Sequence, residues 1–216
     1  MDFERARFNM IEQQIRPWDV FDPEVLEALA SVKRELFVPE ALRAQAFTDT
    51  ELPIGKGQRM LEPKLEAKIL QALAIKPGDK VLEVGAGSGG MAALLAHRAE
   101  WVRAVEIDPE LAALAQRALQ SAGVDNVTVE QGDGLAGWPA GVPYDAILLS
   151  GGVQELPDVL FDQLAAGGRL FAFVGRAPVM QATLYTKTAE GRIRKSVVFD
   201  TLVPELRQSA HSGFSF

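Results

Sequence analysis

The 216-residue chain contains no cysteine. That excludes a disulfide framework, thiolate metal sites and cysteine nucleophiles. Histidine is nearly absent, with only His97 and His211, which argues against a histidine general base or a zinc centre. Positive charge is in deficit: 22 Lys and Arg against 29 Asp and Glu, a formal net charge of −7. A broad phosphate-binding surface is therefore not expected, and nucleic acid is disfavoured as a partner. No apolar run approaches the ~20 residues that cross a bilayer. The charged start MDFERARFNM lacks the apolar stretch of a secretory signal. These absences point to a cytoplasmic protein with no membrane partner. Repeats and low-complexity segments are also missing, and the length suffices for one domain with a substantial core.

What is present centres on VLEVGAGSGG, Val81 to Gly90. It reads as a buried strand, a glycine-rich turn, and a helix through Met91, Leu94 and Leu95. Gly85, Gly87 and Gly89 let the backbone turn tightly and approach a ligand, because no Cβ intervenes. A helix N-terminus beyond the turn favours polar or anionic ligand atoms. Gly85, Gly87 and Gly90 also satisfy the dinucleotide fingerprint. A second strand, VRAVEID, ends in Glu106, which stands 21 residues after Gly85. That is near the roughly 20-residue spacing of an acid that binds ribose hydroxyls. Asp108 reads as an N-cap with Pro109 in the first helical turn. A third unit, NVTVEQGDG, places Asp133 between two glycines, as an acceptor for an adenine amino group or as an ordinary turn aspartate. Three successive strand-helix units thus set polar groups at strand C-terminal ends, the edge where open α/β sheets bind ligands.

Residues 1–50 are expected to form a helical extension, and residues 51–216 the main domain. Phe8, Ile11 and Ile15 fall on one helical face that Arg16-Pro17 should end. Asp22-Pro23 restarts a helix with Val25, Leu26 and Leu29 inward. Pro39 to Ala46 reads as a third short helix, and Trp18 and Phe21 as core or packing residues rather than substrate binders. Thr50 to Pro63 reads as an ordered, locally mobile loop able to cover a ligand at the sheet edge. The helix Pro63 to Ala74 buries Leu65, Ile69 and Leu73, and the helix Pro109 to Ala122 precedes a capping Gly123. Tyr144 to Ser150 is the fourth strand, Leu156 to Leu164 a helix, and Arg169 to Val174 the fifth strand. A hairpin turning at Glu190-Gly191 closes the chain. The expected class is α/β, a mostly parallel sheet with helices on both faces and an antiparallel C-terminal addition.

The segments KRELFVPE, PIGKGQ, VLEVGAGSG, VEID, NVTVEQGDG and LAAGGRLFAFVG resemble class I S-adenosylmethionine-dependent methyltransferases, within them the protein-L-isoaspartate O-methyltransferase group. The likeness spans nearly the whole chain, and the FVP and PIG-GQ segments are its most specific parts. It implies a Rossmann-like sheet of seven strands with S-adenosyl-L-methionine at the strand C-terminal ends. Glu83, Gly85, Ala86, Gly87 and Gly89 would wrap its amino-acid end. Glu106, with Ile107 beside it, would hold the ribose. Asp133 and Gly134 would flank the adenine, and Ser150 would lie near the methyl-transfer site. The loop Gly57 to Leu61 would help form the substrate cleft. There the chain departs from the group: Arg59, Met60 and Leu61 replace Thr-Ile-Ser, so no serine hydroxyl is available at Leu61. Ser150-Gly151-Gly152 likewise replaces Thr-Ala-Ala.

Carboxyl methylation suits a chain without an obvious base. An acceptor carboxylate with a pKa near ~4 is already ionised at neutral pH. Arg59 is a candidate substrate residue, since a guanidinium pairs bidentately with a carboxylate. The expected acceptor is a carboxylate of damaged protein or peptide. The changed loop keeps a small-molecule acceptor open, as well as a non-catalytic S-adenosylmethionine-binding protein. An RNA methyltransferase and an NAD-dependent oxidoreductase are the remaining competitors.

Overall fold

The structure is a computed structural model that describes residues 2–209; His211 lies outside them. The chain begins with α1 (Phe3–Met10), a wide π turn over Ile11–Ile15 and a 3-10 turn over Arg16–Trp18. Then come α2 (Pro23–Ser31) and two further 3-10 turns, Arg34–Leu36 and Glu40–Gln45. Asp22 caps α2 by accepting from the Glu24 N–H, with Pro23 in the first turn. Val25 and Leu29 are buried and Leu26 is partly buried.

Several expectations for this region need correction. Phe8 is 63% exposed; the inward positions are Arg7, Met10, Ile11 and Ile15. The wide turn stretches the buried repeat between Met10 and Ile15 to five residues, and Glu35 draws Arg7 inward through contacts of 2.8 and 2.9 Å. The helical path runs past Arg16-Pro17 and stops at Asp19, where φ is 61°. Trp18 and Phe21 are not core residues, being 48% and 62% exposed. Trp18 instead lies beneath the Lys64 ammonium, 4.8 Å from the ring centre, an arrangement open to water on one side.

The segment read as a loop is a hairpin. Strands β1 (Leu52–Gly55) and β2 (Gln58–Met60) pair antiparallel through Leu52↔Met60 and Gly55↔Gln58. Lys56 and Gly57 form the turn with φ of 53° and 72°, positive at both positions as a type I′ turn requires. Lysine in that position is why the turn is hard to foresee. Helix α3 (Pro63–Leu73) follows, with Leu65, Ile69 and Leu73 buried. Ile69 and Leu73 have no exposed surface, and each such side chain contributes roughly 2 kcal/mol.

The alternation then runs β3 (Lys80–Val84), α4 (Gly90–Ala96), β4 (Trp101–Glu106), α5 (Pro109–Ser121), β5 (Val127–Gln131), β6 (Tyr144–Val153), α6 (Asp158–Asp162), β7 (Leu164–Arg176), β8 (Val179–Lys187) and β9 (Ile193–Thr201). The seven-stranded sheet has the order β5-β4-β3-β6-β7-β8-β9. Pairing is parallel from β5 to β7 and antiparallel for β7-β8 and β8-β9. The α/β class with a closing hairpin is therefore as expected. Strand β6 extends past Ser150 to Val153, and α6 is shorter than the span Leu156 to Leu164 because β7 already begins at Leu164.

Each face of the sheet has its own core. Val81 joins the larger one with α3, α4 and α5, while Leu82 and Val84 join Leu160 of α6 on the other side. Burial on both faces is why β3 reads as a continuous apolar run, and it places Glu83 inside the larger core.

Candidate active site

The chain builds outward from β3 to β4 and β5, then crosses back so that β6 pairs with β3. A crevice opens at the carboxyl ends of strands flanking such a reversal. The register Glu83↔Leu148 and Val84↔Leu149 sets the glycine turn beside Ser150.

Gly85, Gly87 and Gly89 have φ of 90°, 54° and 86°, where a Cβ costs roughly 1–2 kcal/mol. The Gly85 and Ala86 N–H groups both donate to the Val105 carbonyl, at 2.8 and 3.2 Å, which draws the turn onto β4. Glu106 completes the join. Its Oε2 accepts the Gly87 N–H at 2.8 Å and its Oε1 the Asp108 N–H at 3.0 Å. Asp108 caps α5 through the Glu110 and Leu111 N–H groups, as expected. Asp133 Oδ1 accepts the Leu135 N–H at 3.1 Å, and Oδ2 accepts the Ser209 N–H at 2.8 Å.

These strand ends share one cleft, whose lining includes Gly85, Gly87, Glu106, Ile107, Asp133, Gly134 and Ser150 together with Arg59 and Leu61. An adjoining cavity touches Glu83, Ala86, Ser88 and Glu66. Gly89 stands apart. It is the N-cap of α4 and faces α5, its missing Cβ position 3.2 Å from the Ala115 carbonyl. Gly134 lines the cleft, but its bare Cα also admits Val84.

Glu83 is the site's unusual group. It is fully buried; Oε1 accepts the Ser150 hydroxyl at 2.7 Å, and Oε2 has no partner among the described residues. Burial pushes its carboxyl up to about 8; the Ser150 hydrogen bond opposes the rise, and the nearby Glu106 and Glu66 carboxylates add to it. Both Glu83 and Ser150 stand out in the sequence, but nothing there shows their bond.

The hairpin forms the roof. Arg59 is exposed on β2, reaches both cavities and is close enough to Glu51 for their charges to interact. Leu61 is buried. Its carbonyl accepts Arg34 Nη2 at 2.7 Å, and Arg34 Nε donates to the Ala46 carbonyl at 2.7 Å. Arg34 Nη1 pairs with the buried Glu66. Lys56 at the hairpin tip pairs with Glu110 on α5. Pro204, Glu205, Leu206 and Arg207 also line the cleft, and sequence reasoning missed them because no motif marks the stretch after β9. His97 is exposed at the far end of α4 and takes no part.

Comparison with known proteins bears on this arrangement. Residues 5–206 match the family described as Protein-L-isoaspartate(D-aspartate) O-methyltransferase. The chain belongs to that family. Among curated relatives, Protein-L-isoaspartate O-methyltransferase 1 of Syntrophobacter fumaroxidans is 42% identical over 191 residues, covering 88% of this chain and 89% of its own. Protein-L-isoaspartate O-methyltransferase 1 of Rhodopseudomonas palustris is 47% identical over 173 residues, covering 80% of this chain and 71% of its own. Among solved structures, a Plasmodium falciparum protein described as this methyltransferase, in complex with S-adenosyl-L-homocysteine, superposes with a TM-score of 0.79. It is 21% identical and covers 97% of this chain and 100% of its own, a likeness of fold.

Proposed function

We propose that the cleft binds S-adenosyl-L-methionine along the ends of β3, β4, β5 and β6, and that a carboxylate of a protein or peptide is methylated beneath the β1–β2 hairpin. The observation that carries this reading is the unpartnered Oε2 of fully buried Glu83. A buried carboxylate oxygen without a donor costs free energy unless a ligand supplies one. The α-ammonium of the cofactor is such a donor. Glu106 retains lone pairs for ribose hydroxyls beyond the two N–H bonds it accepts, and Asp133 Oδ2 offers an acceptor to the adenine amino group. The residues present thus fit the cofactor at three separated points.

When bound, S-adenosyl-L-methionine supplies a sulfonium-activated methyl group; the chain supplies placement. The walls of the crevice hold the donor, and Ser150 keeps Glu83 oriented through its 2.7 Å bond. The acceptor carboxylate is ionised at neutral pH and requires no base, in keeping with a cleft whose described lining contains no histidine. Arg59 presents a guanidinium at the cleft that can pair with that carboxylate. The buried Leu61 offers no hydroxyl, so acceptor binding rests on Arg59 and on main-chain groups of the hairpin.

Transfer of labelled methyl from S-adenosyl-L-methionine to an isoaspartyl peptide tests the reading. The expected result is a base-labile methyl ester on the isoaspartyl carboxylate. Binding of the cofactor without ester formation on that peptide would overturn the acceptor assignment and leave the cofactor site standing.

A further inference from the structure

The outer face of α3 carries a group of side chains that the cleft does not use. Lys64 and Lys68 lie one helical turn apart on it. Lys64 pairs with Glu62 at 2.9 Å and with Asp49 at 3.1 Å. Lys68 has no carboxylate partner among the described residues. Its ammonium sits instead between two rings, 5.8 Å from the centre of Trp18 and 5.4 Å from that of Phe199. One turn further along, Gln71 accepts the Phe21 N–H at 3.2 Å and fixes that residue beside the helix. Trp18 and Phe21 are both exposed. Large aromatic side chains gathered at the surface around a cation are the composition of a binding surface. The stripe is continuous with the roof of the cleft. Glu62 touches Lys64, and Glu51 lies close enough to both Glu62 and Arg59 for their charges to interact.

We propose that this stripe is a docking platform for the polypeptide that bears the acceptor carboxylate, and that it selects a segment carrying an acidic side chain with apolar neighbours. This rests on the acceptor reading given above. The occupant follows from the chemistry. Lys68 offers an unpaired positive charge on a chain whose net charge is −7, so an anionic side chain is favoured there. The two rings hold the ammonium by their faces, and a cation ordered in advance costs less to engage. The exposed parts of Trp18 and Phe21 suit apolar neighbours of the anion. Spacing sets where the anion stands. Glu62 is extended and the helix runs on from Pro63, so the path from Leu61 to Lys68 is about 15 Å at most. An extended peptide covers that path in about four residues. The acidic position is therefore expected about four residues from the methylated carboxylate.

Methylation kinetics with two isoaspartyl peptides test the platform. The long peptide has glutamate about four residues to either side of the isoaspartate, and the short one ends before those positions. The parent chain is compared with Trp18→Ala, Lys68→Gln and Lys68→Glu. Trp18→Ala is expected to raise the KM of the long peptide roughly tenfold, and Lys68→Gln roughly threefold. The KM of the short peptide, and kcat for both, should match the parent. Lys68→Glu should come to favour a long peptide with lysine in place of glutamate, a reversal that lost packing cannot produce. Equal kinetics in all four chains, or a parallel rise in KM for both peptides, overturns the platform and leaves the acceptor site standing. Self-association of the parent that Trp18→Ala abolishes, with peptide kinetics unaltered, also overturns it and assigns the surface to a second copy of this chain. Failure of the parent to methylate either peptide overturns the acceptor reading and the platform with it. Trp18 is exposed and Lys68 half-buried, so these substitutions leave the core intact.

Discussion

The floor of the cleft and its roof are held in different ways. The floor is set by parallel strand register and by short backbone bonds: Gly85 and Ala86 onto Val105, and Gly87 onto Glu106. Its groups lie within a few residues of a motif. The roof is assembled from parts far apart in sequence, with Arg34 reaching Leu61, Lys56 reaching Glu110 and Arg207 reaching Lys56. A rigid floor and a roof pinned by side chains suit a site whose donor is constant and whose acceptor must enter and leave. The difference also teaches where acceptor recognition could change without disturbing the floor, since Arg59 and Leu61 both belong to the roof.

The largest effect is expected where the roof is pinned in the core. Arg34→Ala leaves Glu66 buried and unpaired and deprives the Leu61 and Ala46 carbonyls of their donor. Breaking a buried pair by removing one partner costs about 3–5 kcal/mol, readable as a lower urea midpoint. Replacing both Arg34 and Glu66 by methionine should recover most of that loss, and failure to recover it would show that the carbonyl contacts, rather than the ion pair, hold the roof.

The floor answers to pH. Glu83 has its carboxyl raised to about 8 in the folded chain. Between the ordinary carboxylate range and that value, the folded state holds a proton that the unfolded state has lost. Stability contributed by this group is present at low pH and declines as pH rises towards about 8, levelling off above it. Glu83→Gln mimics the protonated acid and should not decline, so its melting temperature relative to the parent should climb from pH 5 to about pH 8 and then level off. A constant difference across that range would remove Glu83 as the titrating group. In the parent, cofactor binding should tighten with pH as the ionised form becomes available to an ammonium.

A smaller effect tests the adenine end of the floor. Asp133 Oδ1 is engaged by the Leu135 N–H, while Oδ2 accepts the exposed Ser209 N–H and keeps a lone pair for a further donor. Asp133→Ala removes that acceptor. Affinity for S-adenosyl-L-homocysteine should fall roughly tenfold, the value of a hydrogen bond to a charged group. Unchanged affinity would remove Asp133 from the adenine contact.

Legibility in the sequence follows the same division. The ends of β3, β4 and β5 could be read because strand periodicity, glycines and terminal acids sit together along the chain, and residues a few positions apart in a parallel strand-helix unit meet at one sheet edge. The hairpin was hidden by Lys56 at a positive φ, a position that ordinarily signals glycine or asparagine. Phe8 was misplaced because a π turn shifts the helical phase, which a fixed period of 3.6 cannot register. Pro204 to Arg207 join the cleft through tertiary pairing with Gly152, a contact with no local signature. The Arg34 ties to Leu61 and Glu66 span 27 and 32 residues and were equally out of reach of pattern.

Arg59 gives the smallest expected effect and the sharpest view of the roof. Its guanidinium is exposed on β2, so its pairing with an acceptor carboxylate is partly screened by water. Arg59→Ala should raise the KM for an isoaspartyl peptide by roughly fivefold, equivalent to about 1 kcal/mol. It should leave the KM for S-adenosyl-L-methionine unchanged, because the donor is held by the floor. Arg59→Lys keeps the charge but loses the bidentate fork and should fall between the two. A rise in both KM values would mean that the hairpin positions the donor as well. Equal kinetics for all three chains would return Arg59 to the status of a solvated surface residue and move acceptor recognition to the main chain around Leu61.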